Sequence, residues 1–276
     1  MQNSLPYFGF LLSELEKGNA TVETSFGRHV HWGYWENPKE AVGDAADYAR
    51  AAEQMTLELC SLADIAPGQR VLDVGCGFGG TVASLNERFT GLDLVGLNIE
   101  ERQLDRARAQ VVAAPGNSVA FQLGDACAMP FEAASVDRML AVECVFHFPD
   151  RETFFQGAAK VLRPGGLLVL SDFVPAPLLR PFCPAGSDGD VGGVGATFGN
   201  LNVQYTLSRY RAMARRAGLV PVVERNITRN TLPTYSYLQS LIGSARTPRR
   251  GIGMLRLLAR TRLLSYYLLA FRRPPA

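Results

Sequence analysis

The chain has 276 residues, enough for one large domain or two small ones, with 47% apolar and 20% charged residues. That composition excludes disordered, collagenous and coiled-coil classes. The five Cys (60, 76, 127, 144 and 183) form no CxxC pair and no ligand-like spacing with the three His (29, 31 and 147). A zinc ribbon or disulfide scaffold is therefore not expected, and reduced thiols in a cytoplasm fit the pattern. The N-terminus lacks a basic segment followed by a long apolar run, so no signal peptide is expected. No apolar run reaches the length of a membrane span.

The net charge of +2 hides an asymmetry. From Arg225 to Ala276 there are ten Arg and no acid, which leaves 18 basic and 26 acidic residues before them. Such a split suggests either an anionic partner for the C-terminal part or salt bridges onto an acidic body.

In chain order, residues 5–17 and 39–65 carry helical patterns. The second has Ala45, Tyr48, Ala49, Ala52, Met55, Leu59 and Leu62 at helical spacing, and Pro67-Gly68 ends it. Between them lies the aromatic loop HVHWGYWENP. From Val71 short apolar strands alternate with amphipathic helices: VLDVG, a helix near 79–89, LVGLNI, a helix near 100–113, VAFQLGD, VDRMLAVE, a helix near 151–162, then GLLVLSDF. This is the alternation of a parallel sheet with helices on both faces. A Gly- and Pro-rich connection over 173–204 follows. After it come a helix (206–217), a strand (219–226), an irregular or helical stretch (232–262) and a last strand (265–272), expected to run antiparallel.

The strongest motif is Val71-Leu72-Asp73-Val74-Gly75-Cys76-Gly77-Phe78-Gly79-Gly80. An apolar strand ends in an acid, and a glycine turn opens a helix. Glycine there lets the chain turn tightly and lets a ligand approach the backbone, at the strand ends where open α/β sheets bind ligands. The spacing GxGxGG, with Asp two residues before the first Gly, departs from the dinucleotide fingerprint.

At this point the chain resembles the class I S-adenosylmethionine (SAM)-dependent methyltransferases, over most of its length. The resemblance implies a Rossmann-like seven-stranded α/β fold with N-terminal helices and a C-terminal lid. It divides the chain into a helical cap and entrance loop over 1–66 and a SAM-binding domain over 67–276, with acceptor-lid insertions near 173–204 and 232–262. It implies Asp73, Gly75 and Gly77 as cofactor contacts. In Leu94-Val95-Gly96-Leu97-Asn98-Ile99 the residue that meets the ribose is Asn98, where many members have an acid. Gly-Leu-Asn-Ile with Gln103 is similar to the branch that contains cyclopropane synthases. Gly124-Asp125-Ala126 matches the adenine-binding segment, and Leu162-Arg163-Pro164-Gly165-Gly166 the turn before the fifth strand. His31-Trp32-Gly33-Tyr34-Trp35 resembles the entrance loop, with Tyr34 on the methionine carboxylate and Trp35 or Trp32 against the acceptor.

Methyl transfer to a hydroxyl needs in-line alignment and removal of a proton, a task suited to His. Glu143-Cys144-Val145-Phe146-His147 follows the fourth strand and Leu170-Ser171-Asp172-Phe173 closes the fifth. The pair resembles antibiotic sugar O-methyltransferases, which implies His147 as general base, with Asp172 orienting it or the acceptor. Trp35, Glu143, Phe146 and Phe173 are the expected acceptor contacts. Phe148, Phe182, Phe198, Tyr205, Tyr235 and Tyr237 complete an aromatic pocket for a medium-sized organic molecule. No metal is expected.

The expected activity is thus methylation of a small secondary metabolite, most simply at oxygen. S-adenosylhomocysteine is the product, and nucleic acid is not a partner. Two alternatives keep the fold: carbon methylation of an alkene or isoprenyl diphosphate, using Glu143 and aromatic faces, and a SAM-binding cyclase that transfers no methyl. Peripheral contact of the Arg-rich part with a membrane, the oligomeric state and the acceptor itself are left open.

Overall fold

The computed structural model describes residues 5–182, 198–199, 204–243 and 246–275. Seven strands form one sheet in the order β3-β2-β1-β4-β5-β7-β6. They are β1 (Arg70–Val74), β2 (Asp93–Asn98), β3 (Ser118–Leu123), β4 (Val136–Val142), β5 (Leu162–Pro175), β6 (Val220–Asn226) and β7 (Leu264–Arg272). β1 lies between β2 and β4, parallel to both, and its residues from Val71 to Val74 are buried. A strand covered on both faces is why the sequence is apolar there except at Asp73. The chain leaves β1 to build outward through β2 and β3, then returns to add β4 on the other side. That reversal makes β1 and β4 the switch point of the sheet, where loops after the strand ends splay apart.

The turn Arg163-Pro164-Gly165-Gly166 is absorbed into β5 as a register break. Val136 pairs with Leu162, yet Arg138 pairs with Leu167. β7 runs antiparallel to β5. Gly165 and Arg273 exchange backbone bonds at one end, through Gly165 N–H to Arg273 O and Arg273 N–H to Gly166 O, and Ala176 N–H meets Leu263 O at the other.

Among the described residues the α-helices are α1 (Pro6–Glu16), α2 (Ala20–Phe26), α3 (Ala45–Ala63), α4 (Gly80–Arg88), α5 (Glu101–Gln110), α6 (Arg151–Val161), α7 (Leu207–Arg216), α8 (Thr228–Leu241) and α9 (Arg246–Arg260). The sequence reading misses α2. Asn19 caps it, its Oδ1 accepting from the Thr21 and Val22 N–H groups. The stretch expected as irregular or helical over 232–262 is α8 and α9.

The chain forms two compact units. One comprises 1–54, 173–206 and 226–266; the other comprises 55–172, 207–225 and 267–276. The first unit holds α1, α2, α8 and α9, and the second takes α3 from Met55 onward. The core of the first unit includes Leu11, Val22, Phe26, Trp35, Tyr48, Ala51 and Tyr237. Most of the connection expected as a lid over 173–204 lies outside the described residues, as does the side chain of Phe182.

Among the described residues the arginine-rich part is only partly paired with acids. Arg225 pairs with Glu58. On α9, by contrast, Arg246, Arg249, Arg250, Arg256 and Arg260 share one face at 100° per residue. Among the described residues none of these five has a carboxylate partner; Arg249 donates to the Gly243 carbonyl at 3.0 Å. The adjoining face buries Ile252, Leu255 and Ala259. No helix among the described residues is long and apolar enough to cross a membrane.

Candidate active site

The glycine turn after β1 is built by backbone geometry that only glycine tolerates well. Gly75, Gly77 and Gly79 have φ of 69°, 55° and 80°. Gly75 is also fixed by packing. A Cβ there would lie 2.6 Å from the Cys144 Cβ and 2.9 Å from its Sγ. The neighbours cannot yield easily, because the Gly75 and Cys76 N–H groups both donate to the Leu97 carbonyl (2.8 and 3.1 Å), and the Cys144 thiol donates to the Val74 carbonyl (3.1 Å). Gly79 is the N-cap of α4, so the turn delivers the helix N-terminus beside the loop.

Asp73 stands just before this turn, only 2% exposed, and its Oδ2 has no hydrogen-bond partner. Burial pushes its carboxyl up to about 8. A buried carboxylate oxygen left open beside a glycine cradle is what a polar, cationic ligand would satisfy. Asn98 ends β2, 8% exposed. Its Nδ2 donates to Gln103 Oε1 at 2.9 Å, and its Oδ1 accepts from the Ile99 N–H at 2.8 Å. Gln103 Oε1 lies 4.0 Å from where a Gly77 Cβ would be. Asn98, Gln103 and the glycine turn therefore meet. Ile99 is about half exposed. Asp125, exposed after β3, caps the turn Ala126–Ala128 through Cys127 N–H (2.7 Å), and Ala126 is buried. These residues fit a nucleoside with an aminoacyl tail.

The raised Asp73 carboxyl sets a pH dependence with a definite sign. The unfolded group titrates near 3.8 and the folded one near 8, so the folded chain holds the extra proton between these values. Stability from this group therefore falls as pH rises from about 4 to 8 and is level above. Asp73→Asn should remove that fall. Thermal melts of the ligand-free protein should place the variant above wild type at pH 8.5 and level with it near pH 4. A variant that melts lower throughout would show that the carboxylate is satisfied.

The segment after β4 packs on the glycine turn through Cys144. Glu143, 8% exposed, adopts φ of 50°, an uncommon conformation for a residue with a Cβ. Its N–H donates to the Ser171 Oγ of β5 at 3.0 Å. The 3₁₀ turn Val145–His147 follows, closed by His147 N–H to Cys144 O (3.0 Å) and Phe148 N–H to Val145 O (3.1 Å). His147 is half-buried at the turn's end, edge-on to buried Phe146 with ring centroids 4.4 Å apart.

Asp172 is placed differently from the expectation. Its side chain is fully buried and accepts from Arg151 Nη1 at 2.6 Å and from the Tyr210 hydroxyl. It holds a buried cation, and no direct bond to His147 is among its described contacts. Arg151 and Tyr210 were not singled out from the sequence.

Within the other unit, Trp35 is corrected from an acceptor wall to a core residue. Its ring packs among Phe26, Tyr48 and Tyr237, and its indole N–H donates to Asp47 at 3.1 Å. Tyr237 likewise belongs to that core, bonded to Ser25. Trp32, Phe173, Tyr235 and Tyr266 form a buried aromatic box, with Trp32 edge-on to Phe173 (5.0 Å) and Tyr235 (4.4 Å). The half-buried Tyr34 donates its backbone N–H to Ala51 O at 2.8 Å. His31 is a hydrogen-bonded loop residue. Its Nδ1–H donates to the Trp32 carbonyl (3.0 Å), so its Nε2 accepts from His29 Nδ1–H (3.2 Å), and His29 Nε2 faces Glu53 (2.8 Å). Burial lowers His31 to about 3, so it stays neutral.

Comparison with known proteins agrees with this geometry. Residues 72–170 match the methyltransferase domain family. The chain is 33% identical over 220 residues to the methyltransferase GfsG of Streptomyces halstedii, covering 79% of this chain and 76% of that one. It is 31% identical over 219 residues to 27-O-demethylrifamycin SV methyltransferase of Amycolatopsis mediterranei (strain S699), covering 78% and 75%. In fold it is similar to geranyl diphosphate C-methyltransferase from Streptomyces coelicolor A3(2), with a TM-score of 0.75 at 20% identity over 97% of this chain and 98% of that one. The chain belongs to the class I methyltransferase family, in the branch of natural-product methyltransferases. It is a SAM-dependent methyltransferase, with S-adenosyl-L-methionine as its cofactor.

Proposed function

We propose that the protein methylates a hydroxyl oxygen of a small secondary metabolite, with His147 as the general base. One observation carries this reading. Cys144 packs on Gly75, which sets the turn bearing His147 directly against the glycine loop. His29 and His31 are buried in the other unit, leaving His147 as the half-exposed imidazole.

When bound, SAM supplies an electrophilic methyl group on its sulfonium. The residues suited to hold it are Asp73, Gly75 and Gly77 at the turn, Asn98, Ile99 and Gln103 after β2, and Asp125 with Ala126 after β3. Tyr34 is assigned to the methionine carboxylate on the family resemblance. His147 takes the acceptor proton as the oxygen becomes nucleophilic, and its half-buried position keeps the imidazole reachable yet shielded. Phe146, edge-on to it, and Glu143 on the same segment are assigned to the acceptor, as is Phe173, on the resemblance. The similarity to 27-O-demethylrifamycin SV methyltransferase supports a hydroxyl acceptor on a polyketide-like molecule. The free thiols Cys60, Cys76, Cys127 and Cys144 support a cytoplasmic setting.

The test is an acceptor panel with methyl-labelled SAM, containing 27-O-demethylrifamycin SV, other hydroxylated polyketides and geranyl diphosphate. Label on an oxygen of a hydroxylated compound is expected. Label on a carbon of the diphosphate, lost in Glu143→Gln but kept in His147→Ala, would replace this reading with carbon methylation.

A further inference from the structure

We propose that Asp172, Arg151 and Tyr210 form a positioning triad that sets the pose of His147, and that Asp172 acts through Arg151 without touching the acceptor. The proposal rests on His147 being the base.

The three side chains come from different elements: Asp172 from β5, Arg151 from the first residue of α6 and Tyr210 from α7. All are buried, Arg151 and Asp172 completely. Arg151 Nη1 donates to Asp172 Oδ2 (2.6 Å) and to the Tyr210 hydroxyl (2.7 Å), and Tyr210 donates in turn to the same carboxylate oxygen. The guanidinium also stacks near the Tyr210 ring, 5.6 Å from its centroid. Burying an ion pair this deeply costs several kcal/mol of desolvation per ion, and apolar residues of similar volume often serve stability as well or better. The arrangement therefore calls for a use beyond filling space.

The remaining edge of the guanidinium shows that use. Arg151 Nε donates to the Val145 carbonyl at 3.2 Å. This carbonyl is also the acceptor that closes the 3₁₀ turn through Phe148 N–H. The turn Val145–His147 is thus gripped at its first carbonyl by a rigid planar fork whose other arm is locked to β5. β5 takes a second hold one residue earlier, where Ser171 Oγ accepts from Glu143 N–H. Together these bonds leave the segment from Glu143 to His147 little freedom to rotate. A general base must sit within hydrogen-bond reach of the proton that it takes, and a displacement of about 1 Å can cost roughly 10²-fold in rate. Lysine cannot reproduce the fork, because its single ammonium cannot bond both Asp172 and the Val145 carbonyl in fixed geometry.

The chain has only three His, so histidine ring signals report on the pose directly. Proton–carbon correlation spectra of ¹³C-histidine-labelled protein, titrated with pH, are compared for wild type, Arg151→Lys and Tyr210→Phe. His147→Ala identifies the His147 signal. Tyr210→Phe keeps the ion pair and is the variant used should Arg151→Lys not fold. The expected result is a moved or broadened His147 signal and a shifted titration midpoint, with His29 and His31 unchanged. Identical His147 signals in all three proteins overturn the proposal. A second arm is a double-variant cycle in kcat on the acceptor found above. Arg151→Lys should lower kcat roughly 10²-fold alone, with the KM for SAM unchanged, and should add nothing in the His147→Ala background. Losses that multiply would sink the positioning role while leaving His147 as base. Full activity of His147→Ala would instead remove the base, and this proposal with it.

Discussion

His147→Ala should lower kcat by roughly 10²–10⁴-fold, the usual range for loss of a general base, with SAM affinity little changed. The split follows from where the side chain sits. His147 is on the turn after β4, while the residues proposed to hold the cofactor, Asp73, Asn98 and Gln103, lie on β1, at the end of β2 and on α5. Removing the imidazole leaves the Cys144–Gly75 packing intact, because that contact belongs to a residue three positions earlier. Steady-state kinetics on the identified acceptor, beside calorimetric titration with SAM, would show the split. Turnover within a few-fold of wild type would remove His147 from the role, and a matched loss of SAM affinity would make it a cofactor contact instead.

Gly75→Val should abolish cofactor binding and destabilise the fold. Two independent costs meet at this position. A φ of 69° is a genuine outlier for a β-branched residue, costing about 1–3 kcal/mol. The new Cβ would also fall 2.6 Å from the Cys144 Cβ, and relieving that overlap costs about 1–3 kcal/mol more. The loop has no easy direction of retreat, since the Gly75 and Cys76 N–H groups are both tied to Leu97 O. Gly43 supplies the control. Its φ is 84°, yet nothing lies within 4 Å of an added Cβ. Gly43→Ala should therefore carry the conformational cost alone, melting slightly lower while binding SAM normally. Equal SAM affinity in Gly75→Val and wild type would show that the turn does not cradle the ligand.

The alternation of strands and helices was legible because parallel strands covered on both faces leave mostly apolar runs such as Leu94–Leu97 and Leu167–Leu170. The glycine turn was legible for a local reason: it needs residues without a Cβ, and glycines at Gly75, Gly77 and Gly79 can be seen in a string. Short elements were harder. α2 has seven residues, two of them Thr, and its one marker is the capping Asn19. Long-range partnerships were invisible. Asp172 could be seen at a strand end, but its partners Arg151 and Tyr210 lie 21 and 38 residues away along the chain. Only the fold brings them together, and it makes the strand-end acid, expected to orient His147 or the acceptor, one half of a buried ion pair. Trp35 failed for a related reason. Its aromatic surroundings in sequence resembled a pocket wall, while its packing partners Phe26, Tyr48 and Tyr237 come from three separated segments.

Every chemical step assigned here depends on a sulfonium nucleoside resting on the turn between β1 and α4. Calorimetric titration of the purified chain with S-adenosylhomocysteine tests that most directly. One site per chain is expected, with affinity that tightens as pH rises toward 8 and Asp73 gives up its proton, and with no measurable heat from Asp73→Ala. A flat titration and an unmoved melting temperature with both S-adenosylhomocysteine and S-adenosylmethionine would contradict the account.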